Sequence, residues 1–315
     1  MCLILGCTRL VLFGNPWAWR YYHSNLTPDD IDYRPHDVLA LKRNEFSLGL
    51  YHTPKTVLAV GSSQVQALFD SESAKQLDID TLSIAGMGPL DLVLYQNEIK
   101  NRKPKIVILY LSEFDLARLP DLNVALIAPA QGTHWLTVFK LLKPHQNLWP
   151  DLNLQVIRAI GGELVPEFKY SYIFRGLWDK FSKRDVAFRI KLNSAVSDAD
   201  ALRLQANNLQ RNLDADAIEP SISLLKHFVR FCSKNSTSVV ILEGQVNPLI
   251  ETNASKRLHH RVSGLLEELA KTESNVKYVS LPGLRLQAKD FRDGTHCKKE
   301  SSKEWLLKLN EAILR

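Results

Sequence analysis

Two hydrophobic patterns alternate along the chain from Thr56 onward. Short continuous apolar runs rich in β-branched residues, at 56–60, 81–85, 105–111, 238–242 and 276–281, predict strands buried on both faces. Between them, apolar residues recur at helical spacing over 64–76, 90–102, 218–234 and 255–271, and a final helix over 299–314 closes the chain. Strand and helix taking turns in this way imply right-handed crossovers and a parallel sheet covered on both sides. The expected fold is therefore α/β: a three-layer α/β/α domain with a parallel sheet of about five strands in flavodoxin-like order.

One interval breaks the alternation. Between the third and fourth strands the chain runs from about 114 to 219, far longer than a crossover needs, which predicts a large, mainly helical insertion. Its first half carries Trp135, Phe139, Trp149, Phe168, Tyr170, Tyr172, Phe174 and Trp178, interleaved from Lys169 onward with Arg175, Lys180, Lys183, Arg184, Arg189 and Lys191. Such a mixture suits a membrane surface or a polysaccharide groove, and equally a helical subdomain with its own small core and a basic solvated face. Residues 194–217 are polar and read as helix. The expected organisation is an N-terminal segment, 1–53, followed by one elaborated domain, 54–315.

The N-terminal segment leaves two readings open. Residues 1–14 are mostly apolar but are interrupted by Thr8 and Arg9, short of the roughly 20 residues of a membrane helix and without a basic leader. They are either a buried first element or the end of a membrane anchor, so membrane association and compartment stay open, with an extracytoplasmic tethered domain set against a cytoplasmic one.

Composition narrows the partners. With 315 residues, 45% of them hydrophobic, the chain is long enough for one large core or two ordinary ones. The formal charge of +6 is scattered, without the dense Lys/Arg clusters of a nucleic-acid binder. Cys2, Cys7, Cys232 and Cys297 form no C-x-x-C pair and have no histidine at ligand spacing, so neither a zinc site nor a disulfide framework is indicated, and no cofactor is expected. Nothing in the pattern decides the oligomeric state.

Candidate chemistry gathers at two places. Gly61-Ser62-Ser63 ends the first strand and leads into a helix, which puts both serines at the carboxyl end of a parallel strand, the edge where open α/β sheets bind ligands. Alone, this is more often a tight turn with a helix N-cap than a nucleophile. Asp293-Gly294-Thr295-His296 lies after the fifth strand and before the last helix, at the same edge. A histidine that takes a proton from a serine needs a carboxylate on its other ring nitrogen, and an Asp three residues earlier can supply it. The Gly-x-Ser and Asp-x-x-His pieces fall at complementary ends of one sheet edge.

On these motifs the chain resembles the SGNH, or GDSL-like, hydrolase family over about 55–315, with the insertion set aside. The resemblance implies Ser63 as nucleophile, His296 as base and then acid, and Asp293 as its orienting carboxylate. It also implies Gly86, in Ser83-Ile84-Ala85-Gly86-Met87-Gly88, as an oxyanion donor. At the third block, where the family has an asparagine, this chain has Ser112 in Tyr110-Leu111-Ser112-Glu113, so a hydroxyl or backbone N–H there would have to serve. That departure, with G-S-S in the first block, is similar to the branches associated with polysaccharide O-acylation, the D-alanyl-transfer and alginate-acetylation proteins. The implied activity is ester hydrolysis or acyl transfer on an acyl ester or glycan. The alternative is a catalytically weak or inactive protein of this fold that binds a glycan or a partner.

The remaining candidates sit near the same edge. Ser62 is a substrate-contact candidate from the first block, and Gln245 and Asn247 in Glu243-Gly244-Gln245-Val246-Asn247-Pro248 follow the fourth strand. An Asn-Pro that merely ends a strand is the plainer reading of that loop. His259 and His260 fall on a predicted surface helix with no carboxylate at metal-ligand spacing and read as solvated. Lys298 and Lys299, just after the second motif, suit an anionic polymer, though two surface lysines at a helix start need no explanation.

Overall fold

The computed structural model describes residues 56–69, 77–84, 86–119, 122, 132–164, 198–280 and 285–311. The chain divides into two compact units, Thr53–Pro120 with Ala195–Arg315, and Met1–His52 with Asp121–Ser194.

In chain order the elements of the first unit begin with β1 (Val57–Gly61), α1 (Ser63–Phe69), β2 (Ile79–Ser83), α2 (Pro89–Leu94), α3 (Gln96–Asn101), β3 (Ile106–Leu111) and α4 (Glu113–Leu116). The second unit contributes α5 (Gly132–Leu142) and α6 (Leu152–Leu164), which pack on each other. The first unit then continues with α7 (Asp198–Arg211), α8 (Ile218–Lys234), β4 (Ser238–Glu243), α9 (Asn253–Thr272), β5 (Val276–Val279) and α10 (Lys299–Leu309).

The five strands form one sheet in the order β2-β1-β3-β4-β5, every neighbouring pair parallel. This is the flavodoxin-like order, in which the chain reverses direction between β1 and β3 and opens a crevice outside their carboxyl ends. Alternation along the strands builds the two outer layers. Val57 and Ala59 of β1, Ile108 and Tyr110 of β3, and Val240 and Leu242 of β4 pack on one face with Val65, Leu68 and Phe69 of α1 and Trp305, Leu306 and Leu309 of α10. The opposite set, Leu58, Val60, Val107, Leu109 and Ile241, is equally buried, and α2 and α8 pack together beyond it.

The element boundaries move by a few residues from those read in the sequence. The helix expected over 90–102 is two helices that part at Tyr95, whose φ of −100° and ψ of 9° leave helical geometry. The last expected helix, 299–314, is helical as far as Leu309, and residues 312–315 lie outside the described part. The polar end of the insertion is helical, as α7, and its Leu202, Ala206 and Leu209, with Leu213 beyond it, cover a small apolar cluster of Phe114, Val246 and Ile250.

The aromatic and basic run from Phe168 to Lys191 and the whole N-terminal segment lie outside the described residues. Among the described residues no helix is long and apolar enough to cross a membrane.

Candidate active site

The first wall of the site follows from how β1 ends. Gly61 closes the strand, Ser62 turns the chain, and α1 begins at Ser63. Ser62 is 6% exposed, its hydroxyl accepts from the N–H of Gln64 at 3.4 Å across the turn, and it lines the cleft beside Ser63. Ser63 stands clear at the carboxyl edge. Its hydroxyl lies 2.8 Å from Nε2 of His296, a residue 233 positions along the chain.

The second wall is the loop between β5 and α10. The Asp293 carboxylate accepts from the N–H groups of Thr295 and His296, both at 2.9 Å, which curls the loop into a single turn. The same carboxylate meets Nδ1 of His296 at 2.8 Å through Oδ2 and 2.9 Å through Oδ1. With Nδ1–H donating to Asp293, Nε2 is left with a lone pair for the Ser63 hydroxyl proton. Burial works to push the Asp293 carboxyl up, but the bonds from the His296 ring and from the two N–H groups outweigh it and hold the carboxyl well below its ordinary range. The arrangement is a charged acceptor, an oriented imidazole and a hydroxyl in one line, which is what general-base activation of a nucleophile needs.

A brace from the neighbouring strand holds this loop. Asn247 is 3% exposed, its N–H donates to Gly294 O at 2.9 Å, its Nδ2 donates to Asp293 O at 3.2 Å, and its Oδ1 accepts from Leu249 N at 3.0 Å. The amide is fully committed within the fold, so Asn247 is corrected from a substrate contact to a support of the Asp293 turn. Gln245 is likewise committed: Oε1 accepts from Leu286 N at 2.7 Å, and its backbone N–H donates to the Tyr110 hydroxyl at 2.7 Å. It pins two loops together away from Ser63.

Gly86 and Ser112 part company. Gly86 is at φ +71°, a left-handed conformation that glycine adopts freely, and it lines the cleft with Ser63. Ser112 does not reach the cleft. It is 1% exposed, and both its N–H and its hydroxyl donate to Oδ2 of Asp115 at 2.8 Å. Ser112 is the N-cap of the short helix α4, and Asp115 at the third helical position reaches back to it. The loop after β4 seals the spot: a Cβ on Gly244 would stand 2.5 Å from Ser112 N, and Gly244 N–H donates to Leu111 O at 2.7 Å. Ser112 as an oxyanion donor is therefore corrected. The spacing Ser112-x-x-Asp115 was the signal in the sequence that this serine would be spent on a helix start.

His259 is a further correction. It is not solvated: Nδ1 lies 3.0 Å from Glu113 Oε2 and Nε2 lies 2.6 Å from Glu243 Oε1. Hydrogen bonds to Glu113 and then Glu243 raise its pKa to about 10 against the opposing effect of burial, so the ring is an imidazolium clamped between two carboxylates. Periodicity along α9 cannot disclose carboxylates that arrive from the ends of β3 and β4. Among the described residues no cluster of histidine, cysteine and carboxylate side chains could hold a metal ion.

Two depressions meet at Ser63. One, of about 100 Å³, is lined by Gly86, Phe114, Arg118, Leu209, Leu213 and Gln64 among others. The other, a more open groove of about 530 Å³, contains His296, Arg292, Cys297, Lys298 and Lys299. Arg118 is a residue the sequence reading passed over, since nothing about its position after α4 marks it.

No protein-family model matches the chain, and neither does any curated protein sequence. Among solved structures it is similar to a GDSL-like lipase from Bacteroides thetaiotaomicron VPI-5482, at 9% identity over 87% of this chain and 98% of that one, with a TM-score of 0.40. It is also similar to a catalytic mutant of an acetylxylan esterase from Geobacillus stearothermophilus, at 10% identity over 81% of this chain and 94% of that one, with a TM-score of 0.37. At likenesses of this size, the chemistry of the site rests on its own geometry.

Proposed function

We propose that the protein is a serine-dependent esterase or acyltransferase of the SGNH type, with Ser63 as nucleophile, His296 as base and then acid, and Asp293 as the group that orients and charges the imidazole. The observation that carries this reading is the unbroken line from Ser63 Oγ to His296 Nε2 at 2.8 Å and from His296 Nδ1 to Asp293 at 2.8 Å. Ser63 Oγ attacks the ester carbonyl as its proton passes to Nε2. The alkoxy C–O bond then breaks, and the leaving oxygen takes that proton from His296. The acyl-Ser63 intermediate is resolved by water in hydrolysis or by a sugar hydroxyl in transfer, and His296 removes the proton of either.

The N–H groups of Ser63 and Gly86 receive the carbonyl oxygen in this proposal. With Ser112 committed to Asp115, a third donor is lost, and the loss of one such donor typically costs about 10²–10³ in rate. Turnover is accordingly expected to be slow on simple esters. The groove beside His296, with Arg292, Lys298 and Lys299, is where the alcohol part departs and the acceptor enters, and its open width suits a sugar of a polysaccharide.

The test is active-site labelling with a fluorophosphonate. Wild-type protein should be phosphonylated at Ser63, and Ser63→Ala should not react. An unreactive wild type would leave the fold as a binding scaffold and defeat the catalytic reading.

A further inference from the structure

The two depressions beside Ser63 are not equivalent, because only one of them contains His296. In the mechanism above, Nε2 delivers a proton to the leaving oxygen, so the alcohol part of the ester must lie on the His296 side. The acyl part then enters the other depression, the one lined by Gly86. It is the smaller of the two, about 100 Å³ against about 530 Å³, which favours a short acyl group there.

The chemistry of that acyl side is unusual for a simple ester pocket. Phe114, Leu209 and Leu213 supply apolar surface, but Arg118 stands among them. Its Nη2 donates to Gly86 O at 2.8 Å, which lays the guanidinium across the loop that carries the oxyanion N–H. A Cβ on residue 86 would come within 3.1 Å of that same nitrogen, so glycine is also what makes room for the approach. Guanidinium has five N–H donors, and one is used here. Asp115 lines the same cleft and feels the Arg118 charge, but its Oδ2 is taken by the N–H and hydroxyl of Ser112, and among the described residues no carboxylate is within ion-pair distance of Arg118. A cation with spare planar donors beside the oxyanion loop suits a carboxylate on the incoming acyl group.

We propose that the cleft is a pocket for a short acyl group that ends in a carboxylate, the half-ester of a small dicarboxylic acid, and that Arg118 selects it by pairing with the distal carboxylate. The proposal rests on the serine-ester reading of the same site. Ser63 Oγ bonds to the ester carbonyl carbon, its proton goes to His296, the C–O bond to the alcohol breaks with return of that proton to the alcohol, and water releases the dicarboxylate from Ser63. Arg118 takes no proton in any step and acts on the substrate charge alone.

The test compares ethyl hydrogen succinate with ethyl pentanoate, two esters of similar length with and without the distal charge, by ethanol release. The readout is the ratio of their kcat/KM values within one protein sample, so that any loss of folded enzyme in a variant cancels. Wild type should favour the hydrogen succinate, and Arg118→Met should lower the ratio by about ten- to a hundredfold, the worth of a charge-assisted hydrogen bond. Arg118→Lys, which keeps the charge but not the fork, should fall between them. A wild type without preference, or a ratio unmoved in Arg118→Met, overturns the proposal, as does an enzyme that labels with fluorophosphonate at Ser63 but cleaves neither ester. A protein that fails to label at all defeats the esterase reading itself, which separates the two failures.

Discussion

Asn247 braces the turn of the proposed catalytic Asp293 from outside the cleft. Its Nδ2 holds the carbonyl of Asp293, whose side chain orients His296, and its own N–H holds Gly294. Asn247→Ala keeps the backbone bond to Gly294 and loses the side-chain bond, so the Asp293 turn should loosen without unfolding. A displacement of the base by a fraction of an ångström is expensive in rate. The rate of fluorophosphonate labelling should fall by about 10–10². An unchanged labelling rate would show that the backbone bond to Gly294 and the N–H bonds to the Asp293 carboxylate hold the loop without the side-chain amide.

At the scale of elements, α9 ties three strands together through one ring. His259 meets Glu113, just after β3, and Glu243, the last residue of β4, while the Glu243 carboxylate also accepts from the hydroxyl of Ser280, just after β5. This clamp lies below the loop that carries Gln245 and Asn247, on the floor of a cavity of about 510 Å³. His259 has its pKa raised from 6.5 to about 10 in the folded protein, by Glu113 and then Glu243. A raised pKa contributes stability that is complete below the unfolded value and is lost as pH climbs through the folded one. The thermal midpoint should therefore decline between about pH 6.5 and pH 10. His259→Gln should start lower and decline less over the same interval, as followed by circular dichroism. Parallel profiles for the two proteins would refute the clamp as the source of the pH dependence.

For the whole molecule, α10 is bolted to α1. Trp305 of α10 is 3% exposed and meets Phe69 of α1 and Tyr110 of β3 edge-on, with ring centroids 6.0 Å and 6.1 Å away. The start of α1 is Ser63, and the loop leading into α10 carries His296, so the packing that stabilises the fold also sets the distance between them. Trp305→Ala should cost about 3–5 kcal/mol in denaturant unfolding. Trp305→Phe should restore part of that loss together with the labelling rate. If stability falls while labelling at low temperature is unaffected, the Ser63–His296 distance is held elsewhere.

Apolar runs separated by helical periods were enough to read the parallel sheet, because the central strands β1, β3 and β4 bury nearly every position and right-handed crossovers admit few orders, while the flanking β2 and β5 keep Asp80, Thr81 and Lys277 less buried. For the same reason Gly61-Ser62-Ser63 and Asp293-Gly294-Thr295-His296 could be assigned to one edge from the sequence: in a parallel sheet every strand ends on the same side. What local pattern could not decide was the use of each polar group at that edge. Ser112 looked available until α4 and Gly244 closed on it, His259 looked solvated until two strand ends brought carboxylates to its ring, and Asn247 looked free until Asp293 came within reach of its amide. Arg118 became part of the cleft only through a bond to Gly86, 32 residues away. Hydrogen bonds and charge pairs act over about 3 Å in space, and between residues far apart in the chain only tertiary packing sets that distance.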